Sequence, residues 1–316
     1  LDSTENIMAN STADTNGMLE IPCPLCSGTS YRMLYNARLG DLEASFDYLT
    51  ETPSNFRVVR CLDCRMVYSS PVFSEEKFLS LYRDSRIDKA IEDIDLHAIR
   101  INMRRYLDRL IRISGMNGGS LLDVGCGCGH LLEYASSLGF KVHGVDPSLE
   151  AVNHARELLG VDTILTGSYQ RTLYPSGSFD LVLLIHVIDH VISPKDLLKT
   201  VHYHLKPGGY VFIVTHNIAS LLSRLTGENF IAYSVQHISY FNPDSLRKML
   251  ASCNLDFVQG MKSVTTYPLC HYVENGISNP VWRNRLIRLL SVLGLAQVNF
   301  SFPFGNIEVI GRKGSA

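Results

Sequence analysis

Apolar positions along this chain follow helical spacing first and then fall into short continuous runs. From Leu96 to Ile113, Ile99, Met103, Tyr106, Leu107, Leu110 and Ile111 recur at helical intervals, with arginines between them on a solvated face. A shorter helical pattern begins at Ser74, with Phe78, Leu79 and Tyr82 on one side. After Ile113 the rhythm changes. Short apolar runs predict strands at Ser120–Val124, Lys141–Asp146, Asp162–Leu165, Phe179–His186 and Tyr210–Thr215. Helical stretches at His130–Leu138, Leu149–Leu159 and Pro194–His204 separate them. Strands alternating with helices predict an α/β fold: a Rossmann-like, mainly parallel sheet with helices on both faces, binding ligands at the carboxyl ends of its strands. His216 to Phe241 has weak periodicity and follows the fifth strand, so it is expected to border that edge. Pro243–Cys253 reads as a helix, Asp256–Met261 and Asn306–Gly311 as final strands, and Val281–Leu295 as a basic amphipathic helix carrying Arg283, Arg285 and Arg288.

The N-terminal part is different. Leu1 to Gly17 is polar and aperiodic, and disorder is expected there. Ile21 to Ser70 holds paired cysteines and two strand-like pieces, Phe56–Arg60 and Met66–Tyr68. The expected organisation is a tail over 1–17, a small cysteine-rich subdomain over 18–72, and one large domain over 73–316 with an insertion at 216–241.

Composition narrows the partners. A hydrophobic fraction of 46%, a charged fraction of 19% and a net charge of -2 describe an ordinary globular chain with no global pull toward a polyanion, so nucleic acid is not favoured. No apolar run approaches the ~20 residues of a membrane span. The N-terminus lacks the basic and apolar regions of a secretory signal, and the cysteine pattern suits a reducing setting, so a cytoplasmic location is expected.

The most informative segment is Leu121-Leu122-Asp123-Val124-Gly125-Cys126-Gly127-Cys128-Gly129. Glycines at alternate positions after a strand let the backbone turn tightly and admit a ligand closely. The spacing is not the Gly-x-Gly-x-x-Gly of a dinucleotide site, and no Gly-Lys-Ser/Thr marks a phosphate loop. Asp146 ends the second strand, where an acid can accept both hydroxyls of a ribose. Together with Val145-Asp146-Pro147-Ser148, Phe179-Asp180-Leu181-Val182 and Leu205-Lys206-Pro207-Gly208-Gly209, this loop resembles the successive motifs of class I methyltransferases over Leu96 to Lys313. The resemblance implies a seven-stranded sheet with a reversed final strand and S-adenosylmethionine as methyl donor, leaving S-adenosylhomocysteine. It implies that Asp123 and the Gly125-Cys126-Gly127 to Gly129 backbone hold the methionine part, Asp146 and Pro147 the ribose side, and Ser168 the adenine pocket, with His186 lining the site.

Of 8 cysteines, Cys23, Cys26, Cys61 and Cys64 form two Cys-x-x-Cys pairs. Four thiolates make the closed tetrahedral set of a structural Zn2+, which would hold a segment too short to build its own core. A zinc-ribbon-like start before this fold resembles enzymes of sugar and natural-product pathways, including nucleotide-sugar C-methyltransferases.

Methyl transfer from a sulfonium is a direct displacement, so alignment supplies much of the catalysis and a base is needed only where the acceptor loses a proton. Near the predicted edge stand His186, Asp189, His190, His216 and His237. Tyr233-Ser234-Val235-Gln236-His237-Ile238-Ser239-Tyr240-Phe241 resembles the Glu-His-x-x-Tyr-Phe segment of the sugar C-methyltransferases, with Gln236 in place of the acid. His237 is the candidate base and His190 a second catalytic candidate; each has a structural alternative, in bonding the lid backbone or packing a loop. The expected function is methylation of a small molecule, a sugar, lipid or natural-product intermediate, at oxygen or carbon. Methylation of RNA or protein through a docking zinc knuckle, and a non-catalytic cofactor-binding module, are the alternatives.

Overall fold

The computed structural model describes residues 18–40, 54–84, 96–277, 279–303 and 305–315. The expected disorder of 1–17 lies outside them.

Seven strands form the central sheet: β4 (Gly119–Val124), β5 (Phe140–Asp146), β6 (Ile164–Thr166), β7 (Phe179–Ile185), β8 (Leu205–His216), β10 (Leu255–Lys262) and β13 (Asn306–Lys313). Their order is β10-β13-β8-β7-β4-β5-β6. β4 to β8 are parallel, and β13 runs antiparallel between β8 and β10. β7 is the strand Phe-Asp-Leu-Val-Leu-Leu-Ile with Leu181 to Leu184 fully buried, the composition a strand needs when both its faces are covered. Helices α2 (Leu96–Ser114), α3 (His130–Ser137), α4 (Leu149–Leu159), α5 (Pro194–His204) and α7 (Pro243–Ser252) cover the two faces. Their ends follow local chemistry. Ser148 caps α4 through the Ala151 N–H, Gly160 closes it with φ 65°, Pro194 opens α5, and Asn242 and Ser245 form a reciprocal box at the start of α7. The expected Rossmann-like sheet with a reversed final strand is therefore present.

A second sheet was only partly foreseen. β1 (Tyr31–Tyr35), β2 (Val58–Cys61) and β3 (Val67–Ser69) form an antiparallel ribbon, and its free edge is taken by β9 (Ser239–Tyr240) from the expected insertion. Val67 pairs with Tyr240 and Tyr68 with Ser239. The N-terminal ribbon is thus stitched to the segment that follows β8. Helix α1 (Glu75–Asp84) leads from the ribbon toward the sheet, and α6 (Leu221–Thr226) opens the insertion. Between β10 and β13 the chain makes β11 (Thr265–Pro268), α8 (Leu269–Gly276), α9 (Pro280–Val292) and β12 (Asn299–Phe302). The basic helix α9 packs Leu286, Ile287 and Leu290 against Val273 of α8. Among the described residues, no helix is long and apolar enough to cross a membrane.

Candidate functional site

The loop after β4 is built on its neighbour β5. The Gly125 and Cys126 N–H groups donate to the Val145 carbonyl at 2.7 and 3.3 Å, which curls the chain back over the sheet edge. Gly125, Gly127 and Gly129 all have positive φ, 71°, 50° and 81°. A side chain at Gly125 would meet Val187 Cγ2 at 2.6 Å, and one at Gly127 would project into open space. The loop therefore needs its glycines for conformation, and it keeps its backbone accessible. Cys126 turns inward, with its Sγ where a side chain on Gly144 would otherwise stand, so any part it takes in binding runs through its backbone.

Two carboxylates face this loop. Asp146 accepts from Gly127 N–H through Oδ2 and from Ser148 N–H through Oδ1, both at 2.9 Å, while the Gly167 N–H donates to its carbonyl. Ser168 is thereby placed one residue from a direct bond to Asp146, and Pro147 is half-buried beside it. Asp123 is buried, and its Oδ1 lacks a hydrogen-bond partner. Burial, and then the charge of Asp146, push its carboxyl up to about 8. A buried acid without a donor, an open glycine cradle and a preorganised second acid suit a ligand bearing a cationic head and a ribose. These residues fit S-adenosylmethionine.

A second cluster forms where β7 and β8 end. His186 leaves β7 with φ 53°, a left-handed backbone that non-glycine residues rarely adopt outside special sites. Its ring lies 5.0 Å from that of His216, at the end of β8. Asp189 is buried and accepts from His216 Nδ1 at 3.0 Å. The insertion closes over it, with the Ile238 N–H donating to the Asp189 carbonyl at 2.8 Å. That brings in His237, whose ring lies 4.5 Å from His190 and 4.7 Å from His216. His190 Nδ1 contacts the Tyr82 hydroxyl, which donates to the Gln236 carbonyl at 3.2 Å. Burial, reinforced by the other imidazoles, holds His237 well below its usual pKa, and burial with the neighbouring His216 brings His186 down to about 4. Burial alone would raise Asp189, but the His216 hydrogen bond and the flanking imidazoles outweigh it and keep it anionic.

The structure thus gathers His186, Asp189, His190, His216 and His237 into one cluster. Tyr82 also belongs to the site, because α1 carries its hydroxyl to His190. From the sequence Tyr82 reads first as a core tyrosine and second as a residue that could bound the substrate pocket; its helical spacing carries no sign of the His190 partner. His186 lies with the imidazoles, whereas its neighbour Val187 is the residue that touches the glycine loop.

The four N-terminal cysteines converge as well. Cys23 Sγ lies 3.4 Å from Cys64 Sγ, and Cys26 Sγ 3.5 Å from Cys61 Sγ. Ser27 and Arg65, each following the second cysteine of its pair, share a left-handed φ of 64° and 67°, so the two turns are built alike. Thiolates about 2.3 Å from one zinc stand roughly 3.8 Å apart, close to what is found. All four sulfurs lie within 4.8 Å of one another and fit a closed Zn2+ site.

Comparison with known proteins agrees with this geometry. A family profile described as a methyltransferase domain matches residues 97–259, just over half of the chain. The ubiquinone biosynthesis O-methyltransferase of Burkholderia multivorans is 29% identical over 188 residues, covering 55% of this chain and 78% of that protein. Its counterpart from Burkholderia thailandensis is 28% identical over the same length. A chain in the complex between the Haloferax volcanii Trm112 methyltransferase activator and a methyltransferase superposes with a TM-score of 0.50 at 16% identity, covering 73% of this chain and 94% of that one, a likeness of fold. With the glycine loop, the seven-stranded order and the family match in agreement, the chain belongs to the methyltransferase domain family and is a class I S-adenosylmethionine-dependent methyltransferase.

Proposed function

We propose that this enzyme methylates a hydroxyl group of a small molecule, with Asp123, Asp146, Pro147, Ser168 and the Gly125–Gly129 backbone holding the donor and His237 taking the acceptor's proton. S-adenosylmethionine supplies a methyl group on a sulfonium that leaves as a neutral thioether. The observation that carries the reading is the enclosed imidazole–carboxylate cluster at the carboxyl edge beside the donor loop. Val235 and Ile238 are fully buried, so the insertion packs down as a lid over His237 rather than lying open to a polymer. The relatives named as O-methyltransferases support oxygen as the acceptor atom.

His237 is neutral through burial, and with its Nδ1–H shared by the Ala232 carbonyl and Ser234 Oγ, both at 2.9 Å, Nε2 is the proton acceptor. As the acceptor O–H proton passes to Nε2, the oxygen pair forms the new C–O bond and the C–S pair returns to sulfur. The buried anion Asp189 stabilises the imidazolium that results. His190, fixed by Tyr82, braces His237 from the side. One Zn2+ held by Cys23, Cys26, Cys61 and Cys64 would fix the ribbon whose edge strand anchors the lid.

The reading is tested by incubating the enzyme with labelled S-adenosylmethionine and a panel of phenols, sugars and hydroxylated lipids, alongside RNA and protein. Label in a small-molecule ether is expected. Incorporation into RNA or protein alone would overturn the acceptor class. His237→Ala is expected to lower turnover by about 10²–10⁴-fold with little change in donor affinity; equal turnover removes His237 from proton transfer.

A further inference from the structure

We infer that Asp189, His190 and His237 form a binding site for one divalent first-row transition cation; the inference rests on the small-molecule methyl-transfer reading just given and replaces the part of base assigned there to His237 with that of a ligand. The argument rests on where protons can be. His237 Nδ1 lies 2.9 Å from the Ala232 carbonyl, which only accepts, and 2.9 Å from Ser234 Oγ, which can accept too; with the hydrogen on Nδ1 to serve them, Nε2 presents a lone pair. The Tyr82 hydroxyl lies against both His190 Nδ1 and the Gln236 carbonyl; in the tautomer with the hydrogen on Nδ1, the Tyr82 oxygen accepts it and donates onward to Gln236, and His190 Nε2 also presents a lone pair. Both Nε2 atoms face Asp189, at 4.0 Å from Oδ1 for His190 and 3.9 Å from Oδ2 for His237. Oδ2 is satisfied by His216, but Oδ1 is buried with no hydrogen-bond partner.

Three Lewis bases therefore converge in a buried space with no proton between them. The separations are too long for hydrogen bonds. They match ligands sharing one cation: at bond lengths of about 2.0–2.2 Å, neighbouring ligand atoms stand about 3–4 Å apart. The three ligand atoms lie within 4.8 Å of one another. The outer contacts are those of a metal site too. Each imidazole is oriented through its second nitrogen, by a carbonyl or a tyrosine, and the carboxylate by His216. Two imidazoles and one carboxylate select Zn2+, Mn2+, Fe2+ or Co2+ over Mg2+ and Ca2+, which favour oxygen ligands.

Three protein ligands leave positions for the acceptor. Its hydroxyl, polarised by the cation, would release its proton to water as the oxygen attacks the sulfonium methyl and the C–S pair returns to sulfur. In that state His237 acts as a ligand instead of a base.

Mn2+ is the probe, because it does not compete with zinc for the thiolates. The full chain, with its cysteine site zinc-loaded, is titrated with Mn2+ and followed by loss of the aqueous Mn2+ paramagnetic resonance signal. One bound Mn2+ per chain is expected, with nitrogen couplings from two imidazoles in the pulsed spectrum. Asp189→Asn and His190→Gln are each expected to weaken binding at least tenfold. No binding, binding without nitrogen coupling, or equal binding by folded variants overturns the site; the spectrum of the unaltered protein decides where a variant does not fold. Methyl transfer that persists undiminished under chelation would sink the cation and leave the small-molecule reading standing, whereas Mn2+ binding without any small-molecule product would do the reverse.

Discussion

The phenol of Tyr240 lies 2.8 Å from Ser69 Oγ, in a fully buried contact that joins the lid strand β9 to the ribbon strand β3. The same phenol donates to the His237 carbonyl at 3.0 Å, so Ser69 is left as donor to the phenol oxygen. One hydroxyl thus links the cysteine-rich ribbon to the backbone of the proposed catalytic histidine. Tyr240→Phe keeps the ring packing and removes both bonds. It is expected to cost about 1–3 kcal/mol in stability, through the two partners left unsatisfied. Turnover should fall more than donor affinity, because only the lid loses its tether. Thermal melts and steady-state kinetics check this; a variant with wild-type turnover would separate the ribbon from catalysis.

The cysteine cluster makes a prediction about composition. One zinc per chain is expected by elemental analysis, and Cys61→Ser with Cys64→Ser should release it. Because the ribbon edge pairs with β9, zinc loss is expected to lower turnover and expose the lid to protease near Phe230 to His237. A chain that contains no metal and is fully stable would refute the site.

Asp146 is the residue on which the proposed donor site depends. Its two oxygens already accept the Gly127 and Ser148 N–H groups, and each retains a lone pair for a ribose hydroxyl. Asp146→Ala removes the loop's anchor and the ribose contact together. Calorimetric affinity for S-adenosylmethionine should fall by about 100-fold or more, as expected for losing hydrogen bonds to a charged group worth about 1.5–3 kcal/mol each. Unchanged affinity would sink the pocket assignment.

Asp123 carries a pH signature. Its carboxyl stands at about 8 in the folded protein against an ordinary 3.8, raised by burial and then by Asp146. The folded state therefore holds a proton that the unfolded state has released, and stability from this group is lost as pH rises from about 4 to about 8. Relative to wild type, Asp123→Asn should flatten the fall of the cofactor-free melting temperature between pH 5 and 8. Parallel melting curves across that window would show that Asp123 is ionised in the fold.

What could be read along the chain was local. The alternation of short apolar runs with helical stretches specified the sheet, because β7 and its neighbours are buried on both faces and must be apolar throughout. The glycine loop and Asp146 were legible because their chemistry lies within two consecutive strand ends, and the four cysteines because their pairing is a matter of spacing. The elements between β10 and β13, α8 and the pairs of β11 with β12, escaped because their burial depends on partners far along the chain. Only the tertiary structure decided which histidines meet. Tyr82 reaches His190 across 108 positions, and Ser69 reaches Tyr240 across 171. Such contacts leave no periodicity, since each partner looks like an ordinary core or loop residue alone. The sequence by itself determined the parallel sheet and the glycine loop at its edge, since both are local patterns; the fold determined that Asp189, at the centre of four imidazoles, meets the segment that carries His237.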